Sequence, residues 1–338
     1  MTMRRAVSVL LLAGCAGAPA PPPSPASSAR PVESSATAPA TPSASASATA
    51  RVARRPLVEL QRQTMKHLVA AFNAHDARAL AALYTEDAIV RAPSRDGTKE
   101  EKGREPLEKG HASLFKSMPD VKIGTRRALS RADVVVWEWT ATATATAQKG
   151  APAKPIGFTA ASVLWFDDDG RVKVDHTYFD LGALDAQLAP PKKGEKAQAP
   201  PTLPAEDRER WVEDTGSDAS APAIAAVTRM YALFEKGDEK GLSTVLDDKG
   251  LFPDPATRAP VGKAEWKTRF RAFKKEWPGA TVTVDAAFAF DTAVAAEITL
   301  TRVVDGKPRV EHRLEIGHFD FNLLGLTSYG NTAAGPER

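Results

Sequence analysis

The side chains best suited to acid–base chemistry lie close together in the run DHTYFD (175–180). Alternation along a strand places His176, Tyr178 and Asp180 on one side, together with two valines that precede them. Because valines mark the buried side of a strand, we expect the imidazole, the phenol and the carboxylate to point inward. Asp175 falls on the opposite, polar side of the same strand.

Another histidine and several aromatic residues are expected to face the same interior. Helical spacing puts His111 on an apolar stripe that also includes Phe115. Trp137 and Trp139 alternate along a predicted strand and are expected to be pocket-lining residues. The sequence therefore predicts a cavity onto which His111 and the polar residues of the 175–180 run converge.

Such a cluster needs an explanation, because a buried polar group without a partner costs free energy. It is consistent with a hydrogen-bonded core network or with solvated residues at a pocket mouth. It is also consistent with a binding pocket without chemistry, and with a site for acid–base catalysis. The residue types alone leave all of these interpretations open.

The elements that position these residues occur twice in the chain. AAFNAHDARALAALYTEDAIV (70–90) resembles ALFEKGDEKGLSTVLDDKGLF (232–252), and further helix and strand patterns follow in the same order in both halves. The boundaries predict a first domain at 55–189, a linker at 190–220 and a second domain at 221–333. Three helices followed by antiparallel strands predict an α+β fold, with the helices packed on one sheet face.

The two copies differ at the chemical positions. Glu138 aligns with Glu297 and Tyr178 with Tyr329, so these residue types persist. The residues that change are His111, His176 and Asp180, which become Phe270, Thr327 and Asn331. Because asparagine cannot act as a general base, any chemistry is expected in the first domain. The second domain is predicted to be a degenerate structural copy, its interior filled by the aromatic side chains of its third helix.

The segments FNAHDARALAALYTEDAIV, VVVWEWTATAT and DGRVKVDHTYFDLGALDAQL resemble the nuclear-transport-factor-2-like superfamily, and within it the SnoaL-like polyketide cyclases and ester cyclases. This resemblance implies tandem cystatin-like cone folds, in which three helices pack on a strongly curved, mainly antiparallel sheet around an apolar pocket. Members of the family often dimerise through their sheets. The two domains are therefore candidates for an intrachain pseudo-dimer.

The resemblance also implies a mechanism without a metal or an organic cofactor. SnoaL-like cyclases use an aspartate as general base next to ketone carbonyls, in an apolar pocket that raises the carboxylate pKa. Asp180 would be that base, His176 an alternative base or its orienting partner, and Tyr178 a donor to the enolate oxygen. Asp175 is the other candidate, and strand alternation favours Asp180 over it.

The start of the chain, MTMRRAVSVLLLAGC, predicts export. A positive n-region and a short apolar h-region are typical of a signal peptide (1–14). The sequence before Cys15 resembles a bacterial lipobox, which implies acylation of Cys15 and a lipid anchor, most simply in the outer membrane. A plain secretory signal with an incidental cysteine is the alternative. Residues 15–54, rich in alanine, proline and serine, predict a disordered tether.

Composition excludes several other classes of protein. The chain has 45 Lys and Arg against 42 Asp and Glu, with both signs mixed, so no basic surface suited to nucleic acid is expected. Its single cysteine excludes an internal disulfide and a cysteine-based zinc site. The six histidines show no metal-ligand spacing, so no metal is predicted.

Together these patterns predict an exported lipoprotein whose first domain binds a small apolar or amphipathic molecule. One alternative is a cofactor-independent cyclase, isomerase or hydratase that uses Asp180 and His176 as acid and base. Another is a protein-interaction scaffold of the cell envelope.

Overall fold

The computed structural model describes residues 56–94, 97–146, 152–189, 199–205, 211–214, 220–255, 258–290, 293–320 and 322–330. The predicted signal peptide, Cys15 and the whole of the tether lie outside these residues, as does Asn331. Within the described ranges, no helix is long and apolar enough to cross a membrane.

The first domain contributes four of the described helices: α1 (Leu57–Asn73), α2 (Ala77–Ala82), α3 (Arg104–Ser117) and α4 (Leu181–Leu188). Helix α1 packs on the sheet through Met65, Leu68 and Phe72, which are buried in the core of this domain. Asp76 begins α2 by accepting a hydrogen bond from the Ala79 amide at 2.8 Å. These helices cover one face of a sheet.

The first sheet runs in the order β2-β1-β6-β5-β4-β3-β7. Neighbouring strands are antiparallel except for the pairs β1–β6 and β3–β7. Its described strands are β1 (Tyr84–Ser94), β2 (Gly97–Lys102), β3 (Lys122–Arg131), β4 (Val134–Ala145), β5 (Lys154–Phe166), β6 (Val172–Tyr178) and β7 (Trp211–Glu213). Strand β7 belongs to the region expected to be a linker, so part of that region completes the first sheet.

The second domain repeats this order of elements. Its helices are α5 (Ser220–Lys236), α6 (Glu239–Val245) and α7 (Lys263–Glu276), and its sheet runs β10-β11-β12-β13-β8-β9. Its described strands are β8 (Leu246–Pro253), β9 (Pro260–Gly262), β10 (Thr281–Phe290), β11 (Ala293–Val304), β12 (Lys307–Asp320) and β13 (Asn322–Gly330).

The central strands are buried on both faces. Val135, Trp137 and Trp139 of β4 point toward the helices of the first domain. Val134 and Val136 point the other way and join a separate apolar cluster with residues of the second sheet, such as Leu314. This double burial explains why β4 reads as a nearly continuous apolar run and not as a simple alternation. The two sheets thus meet through the faces that their own helices leave uncovered.

Candidate functional site

A cavity of about 580 Å³ opens in the first domain between α1 and β3. Its apolar walls include Met65 and Val69 from α1, Ile123 and Ala128 from β3, and Trp137 from β4. The Trp137 ring stacks on that of Trp139 with 5.4 Å between their centroids. An apolar hollow of this size suits a small organic molecule.

The rim of this cavity is basic. Arg62, Lys66 and Lys122 contribute to its walls, and no carboxylate or imidazole is found among the described residues that line it. One side is formed by the connecting segment through Leu203 and by Trp211 of β7. The site is therefore built from the first domain together with part of the chain that leads to the second.

His176 and Tyr178, predicted to face this cavity, lie instead at the contact between the domains. His176 Nδ1 is 2.7 Å from Oε1 of Glu297 in the second domain. The Tyr178 hydroxyl donates to the same oxygen at 2.5 Å. Burial, together with the negative charge of Glu297, raises the pKa of Tyr178 far above its ordinary value. The prediction that these side chains point into the first-domain cavity is wrong.

The contact is reciprocal between the two copies. The Tyr329 hydroxyl of the second domain donates to Glu138 Oε1 of the first at 2.6 Å, which mirrors the bond from Tyr178 to Glu297. The other partners of the two glutamates differ. Glu138 also accepts a hydrogen bond from Arg127 of its own domain at 2.5 Å, whereas Glu297 contacts His176 of the other domain. Both carboxylates are almost completely buried, with 7% and 5% of their surface exposed.

Asp180 also lies away from the cavity, where it begins helix α4. Its Oδ1 accepts a hydrogen bond from the Gly182 amide at 2.9 Å, which is the usual role of a helix N-cap. Its Oδ2 pairs with the guanidinium of Arg258 in the second domain. The predicted inward orientation of Asp180 is therefore also wrong.

A β-bulge at Lys173 explains these errors. Val172 pairs with Phe166 and Val174 pairs with Trp165, so Lys173 is an extra residue in β6. The extra residue reverses the alternation, and Val172 and Asp175 therefore share the inner face. Two valines spaced as in a regular strand do not reveal this reversal.

Asp175, expected on the polar side, is the carboxylate that faces the inside of the first domain. Tyr84 donates to its Oδ2 and Thr177 to its Oδ1, both at 2.9 Å. The hydroxyls of Thr177 and Ser162 lie 2.7 Å apart, and the Trp139 indole donates to Ser162 at 3.2 Å. Burial raises the pKa of Asp175. This network matches the interpretation of a hydrogen-bonded core, since Asp175 is not a wall of the cavity.

His111 lies in the helix layer and not among the 175–180 residues. Its Nδ1 is 2.9 Å from the Leu107 carbonyl oxygen, and its ring packs edge-on against Phe72. Phe115 is buried beside it and stacks on His75. Burial lowers the pKa of His111, which therefore favours the neutral form. The expected convergence of His111 with His176 does not occur.

The interior of the second domain is nearly filled. Its cavity measures only about 40 Å³, and Trp266, Phe270 and Phe273 of α7 are buried in this domain. One carboxylate, Glu315, faces this space and accepts hydrogen bonds from the hydroxyls of Tyr231 and Ser328. A volume of this size holds only a few waters. In the part of the chain that the structure describes, no group of side chains is arranged to hold a metal ion.

The two units also match a known family. The SnoaL-like domain family matches residues 65–174 and 227–321, one stretch in each domain and more than half of the chain together. The chain belongs to the SnoaL-like domain family. Each SnoaL-like domain is an α+β unit of helices and one sheet, and the two are arranged in tandem. No curated protein sequence matches this chain.

Several solved structures are similar to one SnoaL-like domain at a time. A hypothetical protein of ketosteroid isomerase-like fold from Catenulispora acidiphila, in complex with trimethylamine, is 21% identical over 36% of this chain and 88% of that one, with a TM-score of 0.32. A cystatin-fold protein from Novosphingobium aromaticivorans is 24% identical over 35% and 96%, with a TM-score of 0.29. An epoxide hydrolase/cyclase-like enzyme of pyran ring formation in salinomycin is 16% identical over 37% and 95%, with a TM-score of 0.32.

Proposed function

We propose that the first SnoaL-like domain binds a small apolar or amphipathic molecule in the cavity between α1 and β3. The observation that carries this proposal is the cavity itself, which measures about 580 Å³ and has apolar walls from Met65, Val69, Ile123 and Trp137. An apolar hollow of this size is a typical feature of ligand sites.

The positions of the acidic residues favour binding over catalysis. A general base must come within hydrogen-bond reach of the proton that it removes. His176 contacts Glu297 and Asp180 pairs with Arg258, and neither His176 nor Asp180 lines the cavity. Asp175 already accepts from Tyr84 and Thr177. Among the described residues that line the cavity, the cyclase or isomerase alternative therefore finds no carboxylate or imidazole to act as its general base.

Native mass spectrometry of the full-length chain tests the binding proposal. We expect a bound small molecule that is lost in Ala70→Trp, because Ala70 is exposed and forms part of the cavity wall. Ala112→Trp is the matched control, since Ala112 is exposed on α3 and does not line this cavity. A ligand retained equally by both variants would contradict the proposed position, and a chain without any ligand after gentle purification would contradict the function.

We further propose that the two domains form an intrachain pseudo-dimer. The reciprocal bonds from Tyr178 to Glu297 and from Tyr329 to Glu138 support this, because equivalent residues meet in this way across a twofold interface. The shared apolar cluster of the two sheets supports it as well. In this arrangement, the sheet face of each domain that its own helices leave uncovered is covered by the sheet of the other domain. These faces are therefore not available to the external partner that the scaffold alternative requires.

We also propose export and acylation at Cys15, on the sequence of residues 1–15 alone. Acylation would hold the two domains at the cell envelope, most simply at the outer membrane. Cys15→Ala should move the protein from the membrane fraction to the soluble fraction of the same cells. An unchanged distribution would show that Cys15 is not the point of attachment.

A further inference from the structure

The connecting segment before β7, with the sequence APPTLPA, packs on the face of the first sheet that the helices leave uncovered. A Cβ atom on Gly157 of β5 would lie 3.1 Å from Cδ of Pro201. A Cβ atom on Gly124 of β3 would lie 2.9 Å from Cδ of Pro204. The two glycines pair with the residues four and two positions after Glu138 on β4, so they share its face of the sheet. The missing side chains therefore let a proline-rich segment lie directly on the strands.

The equivalent part of the second sheet is open. Its strand β11 carries Glu297, the counterpart of Glu138, and the same pairing steps lead to Val310 and Thr283 in place of the two glycines. Val310 is 46% exposed. Val303, its diagonal neighbour on the same face, is 61% exposed. Two of the five large apolar side chains that are exposed in the described part of the chain therefore lie side by side here.

This face offers both kinds of contact that a proline-rich segment makes. The two valines supply an apolar surface against which proline rings can pack. Thr281 and Thr283 of β10 lie on the same face and are exposed, so their hydroxyls can donate hydrogen bonds. A polyproline helix has no internal hydrogen bonds, and its carbonyl oxygens are therefore free to accept them.

The chain itself contains a second segment of the required kind. The spacing Pro-Pro-x-x-Pro occurs in the connecting segment at 200–204 and once more in the chain, at 21–25. The thirty residues 26–55 separate the second occurrence from α1 and can extend over about 90 Å at about 3.1 Å per residue. Attachment to the same chain also gives the segment an effective concentration on the order of millimolar, so a weak contact is enough to hold it.

We propose that residues 18–25 of this chain dock on the open face of its second sheet, along Val303 and Val310, as the connecting segment docks on the first sheet. This inference is independent of any ligand in the first-domain cavity. It has a consequence for the position of the domains, which rests on the proposed acylation of Cys15. Pro21 is six positions after Cys15, so docking holds the second domain within about 20 Å of the lipid.

Photo-cross-linking in the full chain tests this docking. The photoreactive residue p-benzoylphenylalanine replaces Val310 in one variant and Val303 in another, and mass spectrometry identifies the peptides that each captures. We expect both to capture residues 18–25. Leu251 is the matched control, because it is similarly exposed in the same domain but pairs with Gly325, away from the two valines. Capture from either valine position should exceed capture from Leu251 by at least about fivefold, since docking raises the local concentration of the segment.

Substitutions in the tether test the assigned segment. Pro22→Ala and Pro25→Ala together remove prolines that the spacing requires, and should reduce capture at Val310 by at least about threefold, because the segment loses preorganised polyproline structure. Pro39→Ala and Pro42→Ala together are the matched control. They lie in the same tether outside the proposed segment, and should leave capture unchanged.

An equal mixture of chains with light and heavy nitrogen shows whether capture occurs within one copy. Capture of residues 18–25 within single copies, reduced by the Pro22 and Pro25 substitutions alone, is the result that we expect. Capture mainly between copies would overturn the proposal and identify the face as a contact with a second chain. Capture from both valine positions at the level of Leu251, or an equal effect of the two pairs of proline substitutions, would overturn it as well.

Discussion

The reciprocal contact between the domains predicts that two tyrosine hydroxyls hold the chain together as one cooperative unit. Tyr178→Phe and Tyr329→Phe each remove one hydroxyl and preserve the ring. Each leaves a buried carboxylate, Glu297 or Glu138, with one donor fewer. A hydrogen bond to a charged group contributes about 1.5–3 kcal/mol, so we expect each variant to lower the free energy of unfolding by this amount.

Differential scanning calorimetry measures both the size of the loss and the coupling of the domains. For a protein of this size that unfolds in one transition, a loss of about 2 kcal/mol corresponds to a decrease of about 3–4 °C in the melting temperature. Because the lost bonds join the domains, the Tyr178→Phe and Tyr329→Phe double variant should unfold in two separated transitions. The wild-type chain should unfold in one.

Tyr84→Phe is the matched control, because Tyr84 donates to a buried carboxylate, Asp175, within the first domain. It should lower the stability of that domain by a similar amount without separating the transitions. A loss below about 0.5 kcal/mol in either interface variant would refute the reasoning, since so small an effect is typical of an exposed position. If Tyr84→Phe separated the unfolding transitions of the two domains as much as the interface variants do, the reasoning would also be refuted.

Three other substitutions test the burial of individual groups. Burial raises the pKa of Asp175 above the unfolded value of 3.8, so the folded protein favours the protonated carboxyl and loses stability as the pH rises. Asp175→Asn should therefore raise the free energy of unfolding more at about pH 7 than at about pH 4, as measured by urea unfolding. Burial lowers the pKa of His111, so the protein loses stability as the pH falls below about 6.5, where the unfolded chain takes up the proton more readily. His111→Phe should reduce that loss of stability in the same assay. An unchanged pH profile in the Asp175 or the His111 variant would contradict the assignment for that residue. Gly124→Ala should push Pro204 away from β3, cost about 1–3 kcal/mol and speed proteolysis of the connecting segment, whereas Gly279→Ala, with open space around it, should not.

The helices and the duplication can be predicted because their signals are local and repeated. The apolar positions of α1, such as Leu68 and Phe72, recur at helical spacing and are buried. The same elements follow in the same order in both halves, which predicts two α+β units. Each of these inferences needs only the residues of one element or one copy.

The orientation of the candidate site could not be predicted, because it depends on one inserted residue and on a distant partner. The bulge at Lys173 reverses β6, and nothing in the alternation of its side chains marks it. The partner of His176 and Tyr178 is Glu297, more than a hundred residues away. One signal was available: Tyr178 and Glu297 each have the same residue type at the equivalent position of the other copy. Such shared positions indicate a surface that both copies use.

The contrast between shared and divergent positions gives the two domains different physical roles. The tyrosine–glutamate pairs present in both copies lie where the sheets meet, and the interiors of the copies differ. The second domain buries Phe270 and closes its interior to about 40 Å³, which adds the packing contacts that stabilise a core. The first keeps about 580 Å³ open and forgoes such contacts along its walls. A domain with an open cavity can tolerate the lost contacts when it shares a buried interface with a densely packed neighbour and the two domains unfold together.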